Sequence, residues 1–326
     1  MNAGEGAAAP AHASAYRPVP VAAPPLLLVD ASLYVFRAWH ALPDEVHDAD
    51  GWPVNAVHGF ARFLLELVER ERPRHLVVAF DEALGSCFRN ALYPDYKANR
   101  PPAPPELKRQ FGYCRQLCTA LGLPVLAHRE YEADDLIGSA LASVRAHGFR
   151  GVIVSADKDL SQLLGEHDEQ WDFGRGLRWG RAGVRARHGV DADQIADYLA
   201  LCGDAVDNIP GVPGIGARTA AVLLARFGTL DALLARIDEV PYLRLRGAAQ
   251  AAARLREHAD AVLLWRRLAT IACDAPLDDA QPPFVRAPVD AALLAALADA
   301  VRFGPMTRRR LHDSDALLRA PATAPR

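Results

Sequence analysis

Nine carboxylates carry the chemistry that this sequence can do. LLLVD closes on Asp30, HLVVAFD on Asp81 and GVIVSAD on Asp157, with Asp159 two residues further on. YEADD supplies Glu132, Asp134 and Asp135, and GDAVDN supplies Asp204 and Asp207. One such Asp reads as a helix cap or a turn residue. Nine do not, because neighbouring parallel strand ends face one crevice, where uncompensated carboxylates repel. No equally dense Lys/Arg run adjoins them in the sequence. Hard divalent cations with oxygen ligands, Mg2+ or Mn2+ at two or more per site, are the natural compensation. Two such ions form the clamp used for in-line phosphodiester hydrolysis, one activating water and the other stabilising the leaving oxygen.

The elements that must place these acids follow from periodicity. The three runs are continuously apolar, as strands buried on both faces are. Helical patterns separate them at 57–70, 106–122 and 134–148, so residues 25–190 read as a parallel, doubly wound α/β domain. From 191 to 303 the texture is Ala/Leu/Arg-rich and helical. Residues 1–24 read as a disordered Ala/Pro tail and 304–326 as a C-terminal tail. No apolar run nears the roughly 20 residues of a membrane helix, so no membrane partner is expected. The five cysteines form no CxxC pair, which fits a reducing compartment and argues against a zinc module; Cys114 and Cys118 read as core.

Two further segments suit a polyanion. NIPGVPGIGARTA sets three glycines before a helix. Their order is GxxGxG after a helical segment, not the strand-then-GxGxxG of a dinucleotide site. A helix–hairpin–helix fits better, with backbone N–H groups and a helix N-terminus meeting a phosphate. Residues 86–115 carry Arg89, Lys97, Arg100, Lys108, Arg109 and Arg115 against Asp95 and Glu106, interleaved with Tyr93 and Tyr96. Directly after Asp81, that pattern suits a backbone clamp with stacking aromatics, and Arg37 is a further candidate for the scissile phosphate. The net charge of -3 does not oppose this, because setting the nine acids aside leaves a basic remainder.

In the order LLLVDASLYVFRAWHAL, AFD, FRNALYPDYKANRPP, YEADDLIGS, SADKDLSQLL and GDAVDNIPGVPGIGARTA, the chain resembles the 5′ nuclease family. That family includes the N-terminal 5′–3′ exonuclease domain of bacterial DNA polymerase I, the phage exonucleases and, more distantly, the flap endonucleases. The resemblance implies an α/β, PIN-like nuclease domain with a helical arch (about 85–115) and a helical helix–three-turn–helix domain. It implies one metal group at Asp30, Asp81, Glu132 and Asp134, and a second at Asp135, Asp157, Asp159, Asp204 and Asp207. It implies Lys97 and Arg100 near the scissile phosphate. It also implies K+ on the main-chain carbonyls of Leu201, Cys202, Pro210, Val212 and Ile215. DNA contacts are expected at Arg89, Tyr96, Gly214, Ile215, Gly216, Ala217, Arg218 and Thr219. The expected activity is 5′–3′ exonuclease and 5′ flap cleavage of DNA in replication or repair, in a bacterial cytosol, with a polymerase supplied in trans. The alternatives are a PIN-type ribonuclease, which usually lacks such a hairpin, and a non-catalytic DNA-junction binder, which gains nothing from nine clustered acids. Cys87 stands where a small hydroxyl residue is common before Phe-Arg.

Overall fold

A computed structural model describes residues 23–82, 87–277 and 282–319. Most of the expected N-terminal tail and the start of the expected arch lie outside these residues. Six strands form one sheet in the order β3-β2-β1-β4-β5-β6. They are β1 (Pro25–Asp30), β2 (Leu76–Asp81), β3 (Val125–His128), β4 (Arg150–Val154), β5 (Glu169–Asp172) and β6 (Leu177–Gly180). The first five are parallel; β6 runs antiparallel to β5. The three apolar runs are the central strands β1, β2 and β4. Strands β3, β5 and β6, four residues each, carry no comparable apolar run and went unanticipated.

Pleating sends alternate residues of the central strands to opposite faces. Leu26, Leu28, Val77 and Ile153 enter one core; Leu27, Val29, Val78 and Val152 enter the other. The second face is covered by α1 (Ala31–Ala41), α2 (Asn55–Glu71) and α4 (Pro105–Ala120), joined by α12 (Ala291–Ala300) and α13 (Pro305–Arg319). Short α3 (Phe88–Leu92) precedes α4. The first face is covered by α5 (Ala133–Arg145), and its core continues without a break into the helical half. That half comprises α7 (Ile195–Cys202), α8 (Ala217–Phe227), α9 (Leu230–Ala235), α10 (Ala248–Glu257) and α11 (Ala259–Ala269), with α6 (Arg181–His188) leading into it.

Two expectations change here. Residues 305–319, expected as tail, form α13, which packs on α2: Leu311 is buried and Arg310 makes a bidentate bridge to Glu69 at 2.8 Å. The expected arch is mostly not a freestanding helix. Leu107, Cys114, Leu117 and Cys118 of α4 are buried in the second core, so among the described residues of the arch the turns and proline run of 94–104 stand over the site.

Candidate active site at the carboxyl end of the sheet

Asp30 ends β1 and caps α1, its Oδ1 accepting from Leu33 N at 3.1 Å and its Oδ2 from Ser155 Oγ at 2.8 Å. Asp81 ends β2 and accepts from Ala133 N at 2.7 Å. Glu132, Asp134 and Asp135 sit at the start of α5. Asp157 lies three residues past β4 rather than on its tip, and Asp159 opens a short 3-10 turn. Asp204 and Asp207 follow α7, in the turn closed by Asp204 and Ile209. The fold therefore gathers every predicted acid at the carboxyl end of one sheet, where open α/β sheets hold their sites.

Their surroundings divide them. Asp30, Asp81, Asp134, Asp157 and Asp159 have no Lys or Arg within hydrogen-bonding distance among the described residues. Burial, then Asp81 and Asp157, push Asp30 up to about 7. Burial and Glu132 raise Asp81. Burial with Asp157, Asp30 and Asp81 raises Asp134 well above the usual range, and its carboxylate accepts no hydrogen bond among the described residues. Burial and Asp157 push Asp159 up to about 8. Its Oδ1 is buried without a hydrogen bond, with Lys158 Nζ at 3.7 Å. The other four are held by cations. For Glu132, burial opposes ionisation, yet Lys97 and Arg89 hold it below its ordinary value; Tyr96 also donates to it at 2.9 Å. Lys158 donates to Asp204 at 2.6 Å, and Arg100 to Asp207 at 2.7 Å. Asp135 is fully buried against Arg89.

Folding thus brings together the cations that the sequence keeps apart. Among the described residues no three ligating side chains converge closely enough to hold one ion as they stand. The all-oxygen donor set fits a hard divalent cation, and so does the orphaned Asp159 oxygen, since a buried polar atom without a partner is costly. Asp135 fits least, because both its oxygens are saturated with donors.

The basic segment also differs from expectation. Arg89 and Tyr96 are each about 3% exposed and face the carboxylates and the core rather than a DNA surface. Lys97 and Arg100 do not lie on an arch helix: residues 95–100 are turns, Lys97 has φ +54°, and Arg100 N donates to Lys97 O at 3.0 Å. The turn is tied to the helical half through Lys97 N to Asp207 O at 3.0 Å and Asn208 Nδ2 to Asp95 O at 2.7 Å. Arg109 pairs with the buried Asp48, and Arg115 with Glu82 at the surface. Arg37 donates to Asp172 at 3.1 Å, two strands from β1 and apart from the cluster. Lys97, Arg100 and Lys108 line a cavity of about 690 Å³ that reaches Asp81 and Glu132. Phe36, Trp39 and His40 form another wall of it. Sequence reading passed over those three, although all lie within the quoted α1 motif.

In the hairpin, Gly203 and Gly211 lie face to face. A Cβ on Gly211 would fall 2.3 Å from Gly203 N, and one on Gly203 would fall 2.7 Å from Pro210 O. Leu201 O accepts from Val212 N at 2.8 Å, and Val212 O from Ile215 N at 2.9 Å. Ile215 is buried, whereas Gly214, Gly216, Ala217 and Arg218 are exposed. Gly216 caps α8 with no side-chain capping bond, leaving that N-terminus open. Beside it lies a second cavity of about 580 Å³, lined by Gly214 and Thr219 and also by Arg246 and Arg254, which sequence reading missed.

A parallel sheet with acids crowded at its carboxyl end, joined to a helical domain with a glycine hairpin, defines the class: an α/β carboxylate-site domain followed by a helical hairpin domain. The chain belongs to the 5′–3′ exonuclease family: residues 25–189 match its N-terminal resolvase-like domain and 190–291 its C-terminal SAM fold. It is 39% identical over 209 residues to a 5′-3′ exonuclease of Aquifex aeolicus, covering 64% of this chain and 72% of that one. It is 39% identical over 257 residues to DNA polymerase I of Bacillus caldotenax, covering 78% of this chain and 28% of that one. It therefore spans about a quarter of the polymerase relatives. Among solved structures it resembles the T5 D15 protein co-crystallised with metal ions (TM-score 0.63, 19% identity, 90% of this chain, 99% of that one). It also resembles the catalytic core of Rad2 in complex with DNA substrate (TM-score 0.59, 16% identity, 91% of each).

Proposed function

We propose that this chain is a divalent-metal-dependent 5′–3′ exonuclease that also cleaves 5′ flaps, hydrolysing DNA to leave a 5′-phosphate. One observation carries the reading: buried carboxylates crowd together without cations to pair them, and Asp81 of that group lines a cavity walled by aromatic and cationic side chains. Mg2+ or Mn2+ held by Asp30, Asp81 and Asp134, and by Asp157 and Asp159, would supply an activated water and charge for the leaving oxygen. Lys97 and Arg100 exchange Glu132 and Asp207 for an incoming phosphate, placing positive charge where negative charge develops. Phe36 and Trp39 offer stacking surface for a base. The exposed N-terminus of α8 and Arg246 hold the duplex backbone without reading its sequence. The carbonyls of Leu201, Cys202, Pro210, Val212 and Ile215 would hold K+ at this turn. A DNA polymerase, in the bacterial cytosol, would act on the same DNA; the likeness to part of DNA polymerase I relatives supports this.

The test is one gel with 5′-labelled flap, nicked, linear and RNA–DNA substrates, with Mg2+ or with EDTA. Cleavage of flap and linear DNA with Mg2+ alone is expected. Cleavage confined to RNA would favour the ribonuclease reading, and binding without cleavage a junction binder.

A further inference from the structure

Given metal-dependent hydrolysis as proposed above, we propose that Arg89, Asp135 and Gln162 are positioning residues. They form a latch through which residues 268–272 of the helical half set the places of Glu132 and Asp159. Arg89 Nε–H donates to Leu268 O at 2.8 Å. Its Nη2 donates to Thr270 O at 2.9 Å and to Asp135 Oδ1 at 2.7 Å. Its Nη1 donates to Asp135 Oδ2 at 2.7 Å and to Glu132 Oε2 at 3.0 Å. All five guanidinium N–H groups are thereby used. Asp135 Oδ1 also accepts from Ala272 N at 2.8 Å, and its Oδ2 from Glu132 N at 3.1 Å. Each oxygen takes two donors and leaves no lone pair for a cation. Asp135 thus acts through Arg89 and Glu132 and is not itself a metal ligand.

The other edge of the cluster is tied to the same segment. Gln162, in the 3-10 turn that Asp159 opens, donates from Nε2 to Ala269 O and to Asp159 O, both at 3.0 Å. Its Oε1 accepts from Ile271 N at 3.0 Å. Five consecutive residues, Leu268 to Ala272, each give one main-chain group to the latch. Gly138 of α5 lets this segment lie close: a Cβ there would meet Ile271 Cγ2 at 2.9 Å and Ala272 O at 3.0 Å. The segment continues directly from α11, which packs on α7, the helix that leads into the hairpin. Duplex seated on the hairpin therefore bears on both edges of the carboxylate cluster through one rigid strand of backbone.

The test compares wild type with Gln162→Ala, Arg89→Met, Asp135→Asn and the Arg89→Met/Asp135→Asn double variant. Three quantities are measured: the single-turnover cleavage rate at saturating flap DNA and Mg2+, the dissociation constant for duplex in EDTA, and the Mg2+ concentration that half-saturates the rise in melting temperature without DNA. Gln162→Ala is expected to slow cleavage by about tenfold while duplex affinity stays within about threefold. The double variant is expected to be no slower than its slower parent, because the pair acts as one unit. Arg89→Met and Asp135→Asn are expected to shift the Mg2+ midpoint equally. Arg89→Met strands a buried carboxylate and is the variant most prone to misfold, so Gln162→Ala and the double variant carry the test independently. Additive losses, or a Mg2+ shift in Asp135→Asn alone, would make Asp135 a direct metal contact and overturn the latch. So would full-rate cleavage by Gln162→Ala. A wild type that does not cleave with Mg2+ overturns the proposed function instead.

Discussion

Asp134 and Asp159 are the most exposed to electrostatic cost, since burial and like charge act on both with little cationic relief. Replacing Asp159 with Asn should therefore stabilise the metal-free protein, raising its melting temperature at pH 8.5 by a few degrees, while cleavage falls by orders of magnitude. Calorimetry in EDTA beside a single-turnover assay checks both halves; near-wild-type cleavage would remove Asp159 from the metal site. The same charges set a pH dependence. Asp30 and Asp159 titrate near 7 and 8 in the fold and near the ordinary 3.8 when unfolded, so between pH 6 and 8.5 the folded state binds more protons. Stability without metal must then fall as pH rises through that window. Melting curves in EDTA at pH 6 and 8.5 should show the drop, and saturating Mg2+ should shrink it. The opposite slope would mean that these carboxylates are compensated.

The hairpin and the 94–104 turn make separable predictions at the level of elements. Gly211 has no room for a side chain, so Gly211→Ala should unseat the turn and lower stability. Gly216 faces open space with an ordinary φ, so Gly216→Val should leave the fold intact. It should weaken duplex binding by about tenfold, because the new side chain keeps a phosphate off the α8 N-terminus. Equal affinity by fluorescence anisotropy would reduce the hairpin to a structural turn. Lys97→Ala removes the cation shared by Glu132 and Asp207, and should slow single-turnover cleavage by at least about tenfold, or 1.4 kcal/mol of barrier. Ground-state affinity should change less; the reverse pattern would make Lys97 a passive surface charge. Much of this was legible in the sequence. Continuous apolar runs ending in acids could only be central strands, and the glycine order set the hairpin apart from a dinucleotide site. The roles of Arg89 and Tyr96 were not legible. A basic residue beside a tyrosine looks the same whether it meets DNA or a buried carboxylate, and only the fold brings Asp135 and Thr270 to Arg89. Helix α13 was hidden because its first turns are mostly polar, leaving Leu311 as the described apolar side chain that is buried.

Considered whole, the molecule is tied together at its C-terminal end as well. Burying Leu311 is worth about 2 kcal/mol, whereas the partly exposed Arg310–Glu69 bridge contributes less than about 1. Ending the chain at residue 303 should therefore lower the melting temperature mainly through lost apolar contact with α2, with cleavage retained; Arg310→Ala alone should do little. The core on one face of the sheet raises a larger matter. Leu28 and Ile153 of the sheet and Leu199, Leu223 and Leu255 of the helical half belong to one unbroken apolar cluster. The boundary near residue 190 divides the chain by sequence family but not by packing. Neither half, made alone, could shield the surface that it shares with the other. Heating should then dissolve both halves together, as one heat-absorption peak whose van't Hoff and calorimetric enthalpies agree.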